Sequence, residues 1–126
     1  MSYEELNGST LAYVGDAYWS LIVRKYLIDK GFTKAKDLQT KSVAFVSAKA
    51  QASFIPLFIE ELSEEEKDIF RRGRNFKSSS IPKNTDVQTY RISTGFEAII
   101  GYLYLKENWE KLAMIWDKIK TYMEGH

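Results

Sequence analysis

Apolar residues recur at intervals of three and four along most of the chain, and the strict alternation of a half-buried strand does not appear. The spacing predicts an all-α protein of six or seven helices. The first contains LAYVGDAYWSLIV (11–23), with Ser9 or Thr10 as its cap, an end near Lys30 and Gly31 as its stop. In DLQTKSVAFVSAKAQASFI, apolar or small residues at Leu38, Val43, Phe45, Val46, Ala50 and Phe54 predict one helix ending near Gln51. A turn or a short second helix follows around Pro56. Ser63 with Glu66 fits a capping box, in which each side chain bonds the other residue's backbone N–H, and the helix it opens should run toward Arg74. FKSSSIPKN (76–84) is the one clear loop, Ser-rich and broken by Pro82. Thr85 with Gln88 forms a second candidate capping box, for a long helix from Asp86 to about Lys106. Asn108 begins the last helix, with Leu112, Ile115, Trp116 and Ile119 on one face. With no internal repeat and no linker, residues 1–126 read as a single domain, long enough to bury a core unaided.

Composition narrows the chemistry. Hydrophobic residues make up 44% and charged residues 28%, as in ordinary globular proteins. There is no cysteine, which removes disulfides, thiolate metal sites and thiol nucleophiles and suits a reducing cytoplasm. The single histidine, His126, is the last residue, so a mechanism built on a positioned imidazole is not expected. No apolar run approaches the roughly 20 residues of a membrane span, and MSYEELNGST lacks the regions of a signal peptide. A net charge of +1 hides a bipolar arrangement. Residues 60–68 carry six acids and one lysine, whereas residues 71–91 carry six bases (Arg71, Arg72, Arg74, Lys77, Lys83, Arg91) against Asp86 alone.

Two carboxylates stand out against their surroundings. Asp16 is the only acid from Leu6 to Ile28, and Glu97 the only one from Val87 to Lys106. At helical spacing Ala12, Asp16 and Ser20 share a face, as do Tyr90, Thr94, Glu97 and Gly101. The small neighbours permit close approach of another segment. Gly15 beside Asp16 costs on the order of 1 kcal/mol of helix stability against alanine, which points to tight packing there. An acid within a buried apolar run must protonate, pair with a base or bind a cation. One reading pairs these acids with Arg24, Lys25 or Arg91 as structural ion pairs. The other brings Asp16 and Glu97 together across two helices to hold a divalent metal. Hard oxygen ligands without His or Cys favour Mg²⁺ or Mn²⁺.

The basic stretch admits two readings as well: a solvated face balancing residues 60–68, or a phosphate-binding surface in which Ser, Asn and Thr add neutral donors to Lys and Arg. Phe76 within it suits stacking on a base or anchoring the loop. A carboxylate pair beside a phosphate-binding loop suggests a metal-dependent nuclease or phosphoesterase.

YVGDAYW resembles the core of the ribonuclease III signature, and TGFEAIIGYLYL is similar to that family's second motif, a Phe-Glu-Ala segment on a later helix. More closely, LAYVGDA, SAKAQA, RRGRNFK and PKNTDVQTYR followed by STGFEAIIGYLYL resemble Mini-III, the short branch without a separate double-stranded RNA-binding domain. The resemblance spans roughly residues 10 to 120. It implies a ribonuclease III catalytic-domain-like helical bundle and a homodimer. It also implies Mg²⁺-dependent hydrolysis of double-stranded RNA, with Mn²⁺ as a possible substitute, leaving a 5′-phosphate and a 3′-hydroxyl. Asp16 and Glu97 take the places of catalytic, metal-binding acids, and Tyr13 falls where the family has a dimer-interface aromatic. The implied role is trimming the ends of precursor 23S ribosomal RNA in a bacterial cytoplasm, with a large-subunit ribosomal protein as a possible helper.

The wider family carries further acids four residues before the first of these carboxylates and three before the second. Here those positions are Ala12 and Thr94, as the short branch tolerates, so two strong ligands remain. Without an appended RNA-binding domain the catalytic domain must hold its own substrate, mainly through phosphates and 2′-hydroxyls. Lys49, Arg72, Arg74, Lys77, Lys83, Asn84 and Thr85 have suitable chemistry. The missing acids also keep open a non-catalytic RNA-binding or ribosome-assembly module on the same scaffold. A plain helical interaction domain with both acids in ion pairs is a third alternative.

Overall fold

A computed structural model describes residues 2–77, 81, 83 and 85–125. The serines of the loop, Pro82, Asn84 and His126 lie outside the described residues. Among the described residues the chain forms six α-helices and two short 3₁₀ turns, with no strand, as the periodicity predicts. The helices are α1 (Gly8–Asp29), α2 (Ala35–Val46), α3 (Ala48–Phe58), α4 (Glu64–Arg74), α5 (Val87–Leu105) and α6 (Trp109–Glu124).

Helix α5 is the central post. Phe96, Ala98, Ile99, Ile100, Tyr102 and Leu103 are all buried on it, and α1, α3, α4 and α6 pack around it. An aromatic cluster fills the space between α5 and its neighbours. Trp19 meets Phe96 edge-on at a centroid distance of 5.0 Å and Trp116 at 5.4 Å, while its indole N–H donates to the Phe45 carbonyl at 2.8 Å. That bond satisfies the one polar group of a buried ring and ties α1 to α2.

Helix boundaries depart from the sequence reading where local side-chain chemistry outcompetes the expected cap. Asn7, not Ser9 or Thr10, caps α1, its side chain accepting from the Thr10 N–H at 2.9 Å while Ser9 donates to the same oxygen at 2.8 Å. Asp86, not Thr85, caps α5, accepting from the N–H of Thr89 at 2.8 Å and from its hydroxyl at 2.7 Å. A carboxylate at the N-cap is the stronger acceptor and is favoured by the helix dipole. The helix expected to end near Gln51 breaks earlier, at Ser47. This residue ends α2 and caps α3 through the Ala50 N–H. Helix α3 then runs through Gln51 and carries Pro56 in its last turn, because Phe54, Ile55 and Phe58 all bury on the core. The Ser63–Glu66 capping box, the Gly31 stop (φ +103°) and the Asn108 start are as predicted.

Candidate active site

The position of the two lone acids follows from how closely α1 and α5 cross. A Cβ on Gly15 would lie 1.8 Å from the Glu97 carbonyl oxygen, and one on Gly101 would lie 1.9 Å from that of Leu11. The two backbones therefore touch, which only glycine permits. Asp16 follows Gly15 directly, and Glu97 is the residue Gly15 touches, so the crossing itself sets the acids against each other.

Both acids line an open cleft of about 270 Å³. Helix α1 contributes Ser9, Ala12, Tyr13 and Asp16, and α5 contributes Tyr90, Thr94 and Glu97. Phe76, just beyond α4, closes one side. Ala12 and Thr94, the positions of the two missing acids, thus line the same cleft.

The sequence reading of Asp16 as a buried acid is corrected. Asp16 is exposed to the cleft, while Glu97 is half-buried. The reason is that α1 is apolar on two sides. Leu11, Trp19, Val23 and Leu27 face the core, whereas Tyr13, Leu21 and Ile28 are exposed, and Asp16 sits at the edge between the two faces. Burial pushes the Glu97 carboxyl up to about 8, and the adjoining Asp16 carboxyl, within hydrogen-bonding reach and of like charge, adds to the shift. The Gln51 amide opposes it, its Nε2 donating to Glu97 Oε2 at 3.4 Å.

No salt bridge among the described residues involves either acid. Lys25, one of the bases considered as a structural partner, pairs with Asp29 at 2.6 Å instead. Two carboxyls lining one open cleft, with no base paired to either among the described residues, are a donor set suited to a hard divalent cation. Among the described residues no third acid joins them, so one chain offers two carboxylates and leaves the remaining coordination to water and substrate.

The basic candidates are dispersed. Arg72 is committed to the fold, donating to the carbonyls of Glu4 and Leu6 (the latter at 3.0 Å) and to Asp68 at 2.9 Å. Arg74 lies over the Phe70 ring at 5.6 Å and bonds Asn75. Lys49, Lys77 and Lys83 are exposed, Thr85 is half-buried, and Asn84 lies outside the described residues. None of the described ones lines the cleft of the two acids. Gln51 is not singled out by the sequence reading, which places a helix end there. The available signal is a lone amide in a helix whose later positions are Phe54, Ile55 and Phe58.

A model of the ribonuclease III domain matches residues 9–108, a span that holds both acids and the whole α1–α5 crossing. The chain belongs to the ribonuclease III family. Within that family it is 51% identical over 109 residues to a Mini-ribonuclease 3 of Streptococcus pneumoniae, covering 85% of each chain. It is 47% identical over 118 residues to a Mini-ribonuclease 3 of Staphylococcus aureus, covering 92% of this chain and 88% of the relative. In three dimensions it is similar to the crystal structure of a Fusobacterium nucleatum protein. The TM-score is 0.83 at 35% identity, with 96% of this chain and 94% of the other covered. These likenesses bear out both the Mini-III resemblance and the ribonuclease III-like helical bundle.

Proposed function

We propose that this ribonuclease III family member is a divalent-metal-dependent endoribonuclease that cleaves double-stranded RNA. The observation that carries this reading is the convergence of Asp16 and Glu97 in one open cleft with no base beside them among the described residues. Asp16 and Glu97 would hold Mg²⁺, or Mn²⁺ in its place. Bound there, the cation supplies charge for the phosphate oxygens and a place for the attacking water. The chain's own contribution is to fix both carboxylates through the Gly15–Gly101 crossing. The exposed cations on the same chain hold the RNA backbone. Lys49, Arg74, Lys77, Lys83, Asn84 and Thr85 remain candidates for phosphate contacts. Arg72 is a poorer one, because its guanidinium already serves three acceptors within the fold. The products would be a 5′-phosphate and a 3′-hydroxyl.

A homodimer is supported by the outer face of α1. Tyr13 is 81% exposed, and with Ala17, Leu21 and Ile28 it forms a largely apolar stripe opposite the core, with Arg24 the charged residue on it, a pattern expected to be covered. Tyr13 also lines the cleft, so a second copy docked there would border the site. The resemblance adds precursor 23S ribosomal RNA as substrate, the bacterial cytoplasm as location and a large-subunit ribosomal protein as a partner.

A second reading, a non-catalytic RNA-binding or ribosome-assembly module, draws on Ala12 and Thr94 standing in the cleft where the wider family places acids. Cleavage of a duplex RNA by the pure protein with Mg²⁺, against an EDTA control, separates the two. The wild type should cleave, whereas Asp16→Asn should bind RNA and lose cleavage by more than about 100-fold, beyond the usual loss for an outer-shell partner. Binding without cleavage by the wild type would favour the module.

A further inference from the structure

Three polar side chains are buried among the described residues: Gln51, Glu66 and Ser93. Two have local duties. Glu66 closes the cap of α4, and Ser93 donates to the Tyr90 carbonyl one turn back at 2.7 Å. Gln51 differs. It is 2% exposed and reaches from α3 to Glu97 on α5. A buried amide left without a partner costs about 1–3 kcal/mol, and a leucine or methionine would fill the same space without that burden. The donor is also of the right kind. A carboxylate accepts hydrogen bonds only, and a neutral amide N–H supplies one without neutralising the charge as a lysine would.

We infer that Gln51 is a positioning residue, holding one oxygen of Glu97 against α3 so that the rest of the carboxylate is presented to Asp16 and the cleft. The inference rests on the reading of Asp16 and Glu97 as a divalent-metal site. Helix α3 is anchored on both sides of Gln51. Ser47 caps its first turn, and Phe54 and Phe58 bury beyond. Loss of the amide frees Glu97 to rotate away from its like-charged neighbour. Outer-shell partners of this type set metal affinity, and removing one typically weakens it about 10–100-fold.

The test counts bound Mn²⁺ on the full chain by the electron paramagnetic resonance signal of the free ion. Wild type, Asp16→Asn, Gln51→Met and Gln51→Asn are compared. Methionine keeps the volume without a donor, and asparagine keeps the amide but draws it back by one methylene. Both Gln51 variants should bind Mn²⁺ about 10–100-fold more weakly. Duplex RNA binding in the absence of metal should be unchanged, and raised Mg²⁺ should restore most of the cleavage. A merely structural glutamine would lower the melting temperature and leave Mn²⁺ affinity at the wild-type level. Wild-type affinity in both variants, with binding lost in Asp16→Asn, overturns the role of Gln51 and leaves the metal site standing. Absence of Mn²⁺ binding by the wild type overturns both. If the methionine variant fails to fold, the asparagine variant decides alone by the same two results.

Discussion

Glu66 and Glu97 are both withdrawn from solvent, yet their surroundings differ in kind. Glu66 accepts from the Ser63 backbone N–H at 2.8 Å and meets the Lys111 ammonium at 3.0 Å. It has a donor, a counter-charge and a place at the positive end of a helix. Glu97 has a single long bond from a neutral amide, no base among the described residues and a second carboxyl beside it. A carboxylate that serves stability is neutralised by its neighbours. A carboxylate kept next to another acid gains nothing for the fold, and sites of that kind are where function concentrates. Burial of an acid is therefore a weak guide to its role until its partners are named.

The largest effect should come from the element that forces the two acids together. Gly15→Ala places a methyl group inside the Glu97 carbonyl and should destabilise the protein by at least about 3 kcal/mol, read as denaturant unfolding or as loss of soluble protein. Next, the two glutamates should respond with opposite sign. Lys111→Met leaves Glu66 without its counter-charge and should cost about 1–3 kcal/mol of stability with little change in cleavage by the folded protein. Glu97→Gln should abolish cleavage yet stabilise the metal-free protein by about 0.5–2 kcal/mol, the usual gain when a functional strain is removed. Equal signs in the two melting experiments would erase the contrast.

Glu97 should also give the stability a pH dependence. The Glu97 carboxyl rises from 4.5 to about 8 on folding, so between these values the folded state binds more protons than the unfolded one. Stability contributed by protonated Glu97 is therefore present at low pH and is lost as pH rises through about 8. Without metal, the melting temperature should fall across that window. The fall should vanish in Glu97→Gln and shrink in saturating Mg²⁺.

Much of this was legible in the residues. An all-α bundle of six or seven helices follows from apolar spacing, the Ser63–Glu66 box marks its own helix start, and Gly15 and Gly101 signal the close crossing that joins Asp16 to Glu97. What was not legible depends on tertiary contact or on competition between caps. Asn7 and Asp86 displaced plausible neighbours by one to three residues. Asp16 reads as buried because α1 is apolar on two sides, and one helix alone does not say which side meets the core. Gln51 reads as a helix end because the Ser47 break depends on how α2 and α3 turn around the aromatic cluster. The stretch around the loop serines showed its charge but not its division of labour. Only the contacts reveal that Arg72 is engaged by Glu4, Leu6 and Asp68.

The central claim is that Asp16 and Glu97 share one divalent cation. An anomalous difference map from crystals grown with Mn²⁺ tests it most directly. The account predicts a peak in the cleft with an oxygen of each carboxylate at about 2.1 Å. It is contradicted if the cleft stays empty at saturating Mn²⁺, or if the two carboxylates stand more than about 8 Å apart, too far to share an ion with ligand distances of that length.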